Sequence, residues 1–207
     1  MRFNKPNILF RLILTLVLSS LFYCGEDNHH PNDQITSNLA PVTPTKSDRV
    51  TISIDWEYTQ IPLKMEIHEP SGSQALVLWT TGSVKKGKST PFGSEIAESK
   101  IILKPGSKKQ FLLVMRNDSD HPIYFFAAPH QAIPVEHSFG FKFKCLCINH
   151  AFTVPAKETW YRVVEIRLAP DFLGDRLHIK HNLIGITKER MVEFEHSAHQ
   201  SMPHEMD

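Results

Sequence analysis

Between residues 50 and 187 the chain is a succession of short apolar segments separated by turn residues, and this pattern constrains the fold more than any other feature. Several segments alternate apolar and polar residues, which is the period of a half-buried strand. No long stretch of this region has the helical period. We therefore predict an all-β, antiparallel sandwich. The predicted strands are Val50–Trp56, Ile61–Ile67, Ala75–Trp79, Lys100–Leu103, Gln110–Met115, Pro122–Ala127, Phe139–Ile148, Trp160–Leu168 and Leu177–Ile186.

The first 24 residues have the features of a targeting segment. Arg2 and Lys5 form a positive region, and the apolar stretch Leu12–Tyr23 ends at Cys24. Acidic residues follow, so the positive-inside rule places residues 25–207 outside the cytoplasm. Lipidation at Cys24 after cleavage, an uncleaved anchor and a secretory signal are three outcomes that the sequence leaves open. We expect a membrane-anchored protein that faces the periplasm or another extracytoplasmic space.

The remaining chain divides by composition. Residues 25–49 are polar, are rich in Pro, Asn, Asp, Ser and Thr, and lack hydrophobic periodicity, which predicts a flexible linker. Residues 50–187 form the predicted sandwich domain, and residues 188–207 form a polar tail that contains histidines. With 23 Lys and Arg against 22 Asp and Glu, the chain is nearly neutral. The chain therefore lacks the excess of basic residues that would indicate nucleic-acid binding.

The stretch FGFKFKCLCINH, residues 139–150, contains two of the three cysteines. Residues two apart in a strand share a face, so this pattern predicts one row of apolar and thiol side chains, consisting of Phe139, Phe141, Phe143, Cys145 and Cys147. The Cα atoms of the two cysteines would be roughly 6.5–7 Å apart, which is at the limit for a disulfide. Two thiolates on one face can instead bind a soft metal ion such as Cu(I) or zinc, although zinc would need two further ligands.

Other interpretations of the cysteines and histidines stand beside this one. Buried cysteines often act as small core hydrophobes, and a disulfide to Cys24 would need the linker to fold back. A blue-copper site at Cys147 and His150 is rejected because Met191 is too distant to be an axial ligand and strand parity puts His150 opposite the thiols. The other histidines of the domain are interpreted as loop residues rather than ligands, namely His121, His130, His137, His178 and His181.

No enzyme signature is present. The sequence has no HExxH, no GxSxG and no glycine-rich phosphate loop, and no cysteine–histidine pair has catalytic spacing. We therefore predict that the protein is not an enzyme. A thiol oxidoreductase is a weaker idea, because a Cys-x-Cys disulfide would be strained and strongly oxidising.

Residues from about 91 to 187 resemble the CtaG family of cytochrome c oxidase assembly proteins. The segment KIILKPGSKKQFLLVMRNDSDHPI is similar to that family's strand, Pro-Gly turn, strand and polar turn. FKFKCLCINHAFTVPAKETW is similar to its Cys-Phe-Cys-Phe copper motif and the proline turn after it, with Leu146 and Ile148 in place of the two Phe residues. VVEIRLAPDF resembles the strand and turn that follow. An N-terminal anchor with a cysteine beside the membrane also fits this family.

The resemblance implies an immunoglobulin-like sandwich in which Cys145 and Cys147 bind Cu(I). It also implies a copper chaperone that delivers Cu(I) to a cytochrome c oxidase subunit or another copper-accepting protein, and two subunits that can share copper through this motif. The alternative is a structural or interaction lipoprotein with the same sandwich and no metal function.

Overall fold

The computed structural model describes residues 46–72, 76–146 and 150–200, with side chains as far as residue 196. Cys24, Cys147 and most of the predicted linker lie outside these residues. The described elements, in chain order, are β1 (Lys46–Thr59), β2 (Glu66–Pro70), β3 (Thr81–Lys85), β4 (Phe92–Glu95), β5 (Lys100–Leu103), β6 (Lys108–Arg116), β7 (Ile123–Ala127), β8 (Gln131–Ile133), β9 (Phe141–Lys144), β10 (Ala151–Val154), β11 (Glu158–Leu168), β12 (Gly174–Ile186) and α1 (Lys188–Gln200).

The strands form two sheets. The first has the order β10-β7-β12-β1-β5, and β8 also pairs with β12. The second has the order β3-β11-β6-β2-β4, and β9 also pairs with β11. β1 and β12 run parallel, whereas the other described pairs are antiparallel. The all-β sandwich class is therefore confirmed, and the immunoglobulin-like topology stays a prediction.

The hydrophobic core lies between the two sheets and follows the strand period. On β12 the residues Leu177, Ile179, His181 and Leu183 are all buried, at every second position. Apolar side chains of both sheets meet in one cluster. The ring of Trp160, on β11, contacts that of Phe125, on β7, at 5.5 Å edge to face. Such contacts fix the two sheets against each other, because each loses apolar surface to the other.

Strand β6 is buried on both faces. Phe111, Leu113 and Met115 face the core between the sheets, while Leu112 and Val114 belong to a second apolar cluster. Phe92, on β4, and Val163, on β11, are the other buried members of that cluster. The second sheet therefore has a small outer layer of its own, which explains the unbroken apolar run in β6.

Most long strands agree with the prediction, and three segments do not. Residues 76–79 are not a strand, and the strand here is β3, which starts at Thr81. The predicted strand Ile61–Ile67 is strand only from Glu66, although Ile61, Leu63 and Met65 are buried. Of the predicted strand Phe139–Ile148, the residues Phe141–Lys144 form a strand, whereas Phe139 ends the 3-10 turn Val135–Phe139; Cys147 and Ile148 lie outside the described residues.

The C-terminal tail begins with helix α1. Met191 is buried, and the ring of Phe194 packs against that of Phe126, on β7, at 5.4 Å. The helix therefore covers part of the first sheet. None of the helices that the structure describes is long and apolar enough to cross a membrane.

Candidate metal centre

One cysteine and two histidines come together between the sheets. The Sγ atom of Cys145 lies 3.3 Å from Nε2 of His181 and 3.5 Å from Nδ1 of His130. Each side chain offers one ligand atom, and the three atoms lie within 4.8 Å of one another. Among the described residues, this is the one group of three or more His, Cys, Asp or Glu side chains with such an arrangement.

The two histidines come from neighbouring segments of the first sheet: His181 lies on β12, and His130 directly precedes β8. His181 occupies an inward position of β12, between the buried Ile179 and Leu183, and is itself 0% exposed. β8 pairs with β12 so that Gln131 faces Lys180. His130, one residue before β8, is therefore the neighbour of His181 across the pair, and their ring centres are 5.8 Å apart. Antiparallel pairing thus sets the separation of the two imidazoles.

Cys145 comes from the second sheet. β9 ends at Lys144 and pairs with β11 through Phe143 and its neighbours. Phe141 and Phe143 are buried and Lys142 and Lys144 are exposed, so the strand parity predicted for this segment is correct here. Cys145 continues the inward row and is 3% exposed. The three ligand atoms therefore join the two layers of the fold.

Aromatic rings surround the imidazoles. Trp56, on β1, stacks on His181 with a centroid distance of 5.4 Å. Phe141 and Phe143 lie 5.7 and 5.5 Å from His130. Trp56 is in turn held by a hydrogen bond from its Nε1 to the hydroxyl of Ser99, at 3.2 Å. This environment excludes water from most of the cluster and restricts the orientation of the rings.

A buried arginine lies behind Cys145. Arg162, on β11, is 5% exposed, and its Nε donates a hydrogen bond to the carbonyl oxygen of Cys145 at 3.3 Å. Its Nη1 atom donates to the Thr81 hydroxyl at 2.5 Å and to the Trp79 carbonyl at 3.3 Å. Burial lowers the pKa of the guanidinium from its ordinary value, while attraction to a thiolate at Cys145 acts in the opposite direction.

The spacing of the three atoms suits a metal ion. With a metal–sulfur bond of about 2.3 Å, a metal–nitrogen bond of about 2.0–2.1 Å and tetrahedral angles, sulfur and nitrogen would be roughly 3.6 Å apart. The observed separations of 3.3 and 3.5 Å need only a small adjustment to reach that value. One thiolate and two imidazoles are a ligand set that copper and zinc both accept. A fourth position would remain open to another ligand.

The cluster borders the surface at His130. This residue is half-buried and lines a cavity of about 480 Å³. The cavity walls also include Val135 and Phe141. The cavity therefore meets the cluster at His130, whereas Cys145 and His181 lie deeper.

The structure describes only some of the site residues that were predicted from the sequence. Cys145 lies in the cluster, while Cys147 and Cys24 fall outside the described residues. Phe139 does not share the inward row, because it ends a 3-10 turn and is 96% exposed. His150 is near the ring of Phe152 and belongs to no group of metal ligands among the described residues.

The interpretation of the histidines as loop residues is wrong for His178 and His181, whereas His130 precedes β8 and agrees with it. His178 and His181 lie in β12, and His130 and His181 contact Cys145. A sequence signal for His181 existed, because it takes an inward position in the alternating strand LHIKHNLIGI. No comparable signal marked His130, whose position depends on the pairing of β8 with β12.

The fold and the site define an all-β, two-sheet domain with a mostly buried cluster of His130, Cys145 and His181 between the sheets. The chain belongs to the family described as a domain of unknown function, DUF8709, whose model matches residues 50–186. No curated protein and no solved structure matches the chain.

Proposed function

We propose that this protein is a membrane-anchored, extracytoplasmic copper chaperone that binds Cu(I) through Cys145 and delivers it during cytochrome c oxidase assembly. The observation that carries the proposal is the contact of the Cys145 sulfur with the nitrogens of His130 and His181, at 3.5 and 3.3 Å. Thiolate is a soft ligand that favours Cu(I), and imidazole is also a good copper ligand. The two histidines extend the ligand set predicted from the sequence.

Delivery requires a site that can both hold and release its metal. Cys145 and His181 are buried, which favours tight binding, whereas the half-buried His130 borders an open cavity. A ligand from a copper-accepting protein can approach at His130 and replace it first. Copper can then pass by stepwise ligand exchange, without leaving the ion uncoordinated.

The other parts of the proposal depend on the sequence. Cys147, two residues after Cys145, supplies a second thiolate, and a copper ion bridging two subunits uses the same motif. Cys24 is the site of lipidation or the end of an uncleaved anchor. The resemblance of residues 91–187 to the CtaG family favours a cytochrome c oxidase subunit as the recipient.

The test is an anaerobic titration of the purified full-length protein with Cu(I) against a competing chelator. We expect one tightly bound Cu(I) per site, and at least about tenfold weaker binding in each of Cys145→Ser, His130→Gln and His181→Gln. Cys147→Ser measures the role of the second thiol. His178→Gln is a matched control, because His178 lies on the same strand as His181 and outside the cluster.

A structural lipoprotein without metal function is the second candidate. Nδ1 of His130 and Nε2 of His181 both lie within hydrogen-bond distance of the Cys145 sulfur, so these three atoms can satisfy one another without a metal. Equally weak Cu(I) binding by wild type and all variants would support that reading and end the chaperone proposal.

A further inference from the structure

Arg162 is a buried cation, and its partners among the described residues are uncharged or belong to the cluster. It donates hydrogen bonds to two backbone carbonyls and one hydroxyl, and its guanidinium lies 5.1 Å from the ring centre of Phe152. None of the ion pairs formed by the described residues includes it. Burying a cation in this way is costly unless a negative charge compensates it. A thiolate at Cys145 is the one charge that acts favourably on it.

The total charge near Arg162 therefore depends on which metal the cluster holds. One thiolate and two neutral imidazoles with Cu(I) sum to zero, whereas the same ligands with Zn(II) sum to one positive charge. With the guanidinium of Arg162 included, the buried charge is one positive charge for Cu(I) and two positive charges for Zn(II). A second thiolate from Cys147 would lower both totals by one and leave the difference unchanged.

Resting on the proposed function of the cluster, we infer that Arg162 is a selectivity residue that disfavours divalent ions and so biases the site toward monovalent Cu(I). Its hydrogen bond to the Cys145 carbonyl holds the charge beside the ligand. Repulsion between a buried cation and an extra metal charge is weakly screened, because little water separates them. Cu(I) and Zn(II) have the same closed d shell, so their charge and size are the properties that the site can distinguish.

The experiment compares Cu(I) and Zn(II) affinities of the full-length protein, each measured by competition with a chelator. Arg162→Gln removes the charge and keeps a hydrogen-bond donor, and Arg162→Lys keeps the charge. We expect Arg162→Gln to raise the Zn(II) affinity relative to that for Cu(I) on the order of tenfold, and Arg162→Lys to leave this ratio close to wild type. A purely structural role would change both affinities by the same factor, so an unchanged ratio in Arg162→Gln would overturn the inference.

A second pair of variants keeps the inference testable if the Arg162 variants do not fold. Thr81 is exposed, and its hydroxyl accepts a hydrogen bond from Arg162. Thr81→Asp places a carboxylate beside the guanidinium, whereas Thr81→Asn is a neutral control of the same size. We expect the Zn(II) affinity to rise relative to the Cu(I) affinity in Thr81→Asp but not in Thr81→Asn. Equal ratios in this pair would refute selectivity by Arg162, and a wild-type protein that binds neither metal would refute the proposed function as well.

Discussion

A metal bound by this cluster should raise the stability of the whole domain. His130 and His181 belong to the first sheet and Cys145 follows β9 of the second, so the ion would cross-link the two layers. A ligand that binds only the folded state adds its binding free energy to the free energy of unfolding. With free Cu(I) at 1,000 times the dissociation constant, the gain is about 4 kcal/mol. For a domain of this size, the corresponding rise in Tm is roughly 8–16 °C.

His181→Gln should remove nearly all of this gain. The substitution deletes the nitrogen that lies 3.3 Å from the Cys145 sulfur. If binding weakens about a thousandfold, the same free Cu(I) adds only about 0.4 kcal/mol, or roughly 1 °C. The apo variant should itself lose about 1–3 kcal/mol, because the imidazole is fully buried and its contact with the sulfur is lost.

The assay is anaerobic thermal denaturation of the full-length protein with and without chelator-buffered Cu(I). His178→Gln is the control, because His178 lies three residues before His181 on β12 and its Nδ1 pairs with the Ser53 hydroxyl at 2.7 Å. The control should keep the full metal-dependent rise in Tm. An equal rise in wild type and His181→Gln would refute the argument, since the stabilising ion would then bind elsewhere.

Three further predictions concern the surroundings of the site and the fold. Trp56 stacks on His181, so binding of Cu(I) should change the tryptophan fluorescence of the protein. Trp56→Phe should remove most of that change. A change that persists in this variant would show that the stacked ring of Trp56 is not coupled to the metal. The buried amide nitrogen of Asn117 shares its two hydrogens among three backbone carbonyls at 2.9 to 3.1 Å. Asn117→Ala should therefore lower the free energy of unfolding measured in urea by about 2–3 kcal/mol, and a loss below about 0.5 kcal/mol would contradict this. Burial alone would raise the pKa of Glu165, but a hydrogen bond from Arg167 and the positive charge of Lys108 lower it overall. The ionised carboxylate of Glu165 therefore stabilises the fold at neutral pH, and this contribution is lost as the pH falls through the lowered pKa. Glu165→Gln should reduce the loss of folding stability below about pH 4. The same acid-induced loss of stability in both proteins would refute the assignment.

Strands whose burial follows the strand period were among those that the sequence predicted well. Lys100–Leu103 was predicted with the bounds that β5 has, and its exposed and buried residues alternate. β3 was missed because its sequence, TGSVK, is small and polar and reads as a turn. It is a strand because it pairs with β11, where Gly82 fits against the ring of Tyr161 with no room for a side chain. Such a strand is specified by its neighbour rather than by its own residues.

The start of β9 shows the opposite error, in which the predicted strand is too long. Alternation alone extended the strand through Gly140 to Phe139, yet Gly140 lies against the ring of Phe172, where a Cβ atom would approach to 2.5 Å. The chain turns at this close contact, and Phe139 leaves the core row. A pattern of apolar residues cannot reveal a contact with a residue more than thirty positions away. The same limit hid the pairing of β8 with β12 that brings His130 to His181.

The cluster is therefore a product of tertiary structure, and this has a consequence for metal exchange under the proposed function. Its most accessible ligand, His130, directly precedes the three-residue strand β8. Its deepest ligand, His181, lies on β12, which pairs with β1 along most of its length. Short strands open more readily than long central ones, because fewer backbone hydrogen bonds and apolar contacts hold them. Opening of β8 would release one ligand while Cys145 and His181 kept the ion, so the proposed chaperone would exchange its metal in an order that leaves at least two ligands bound.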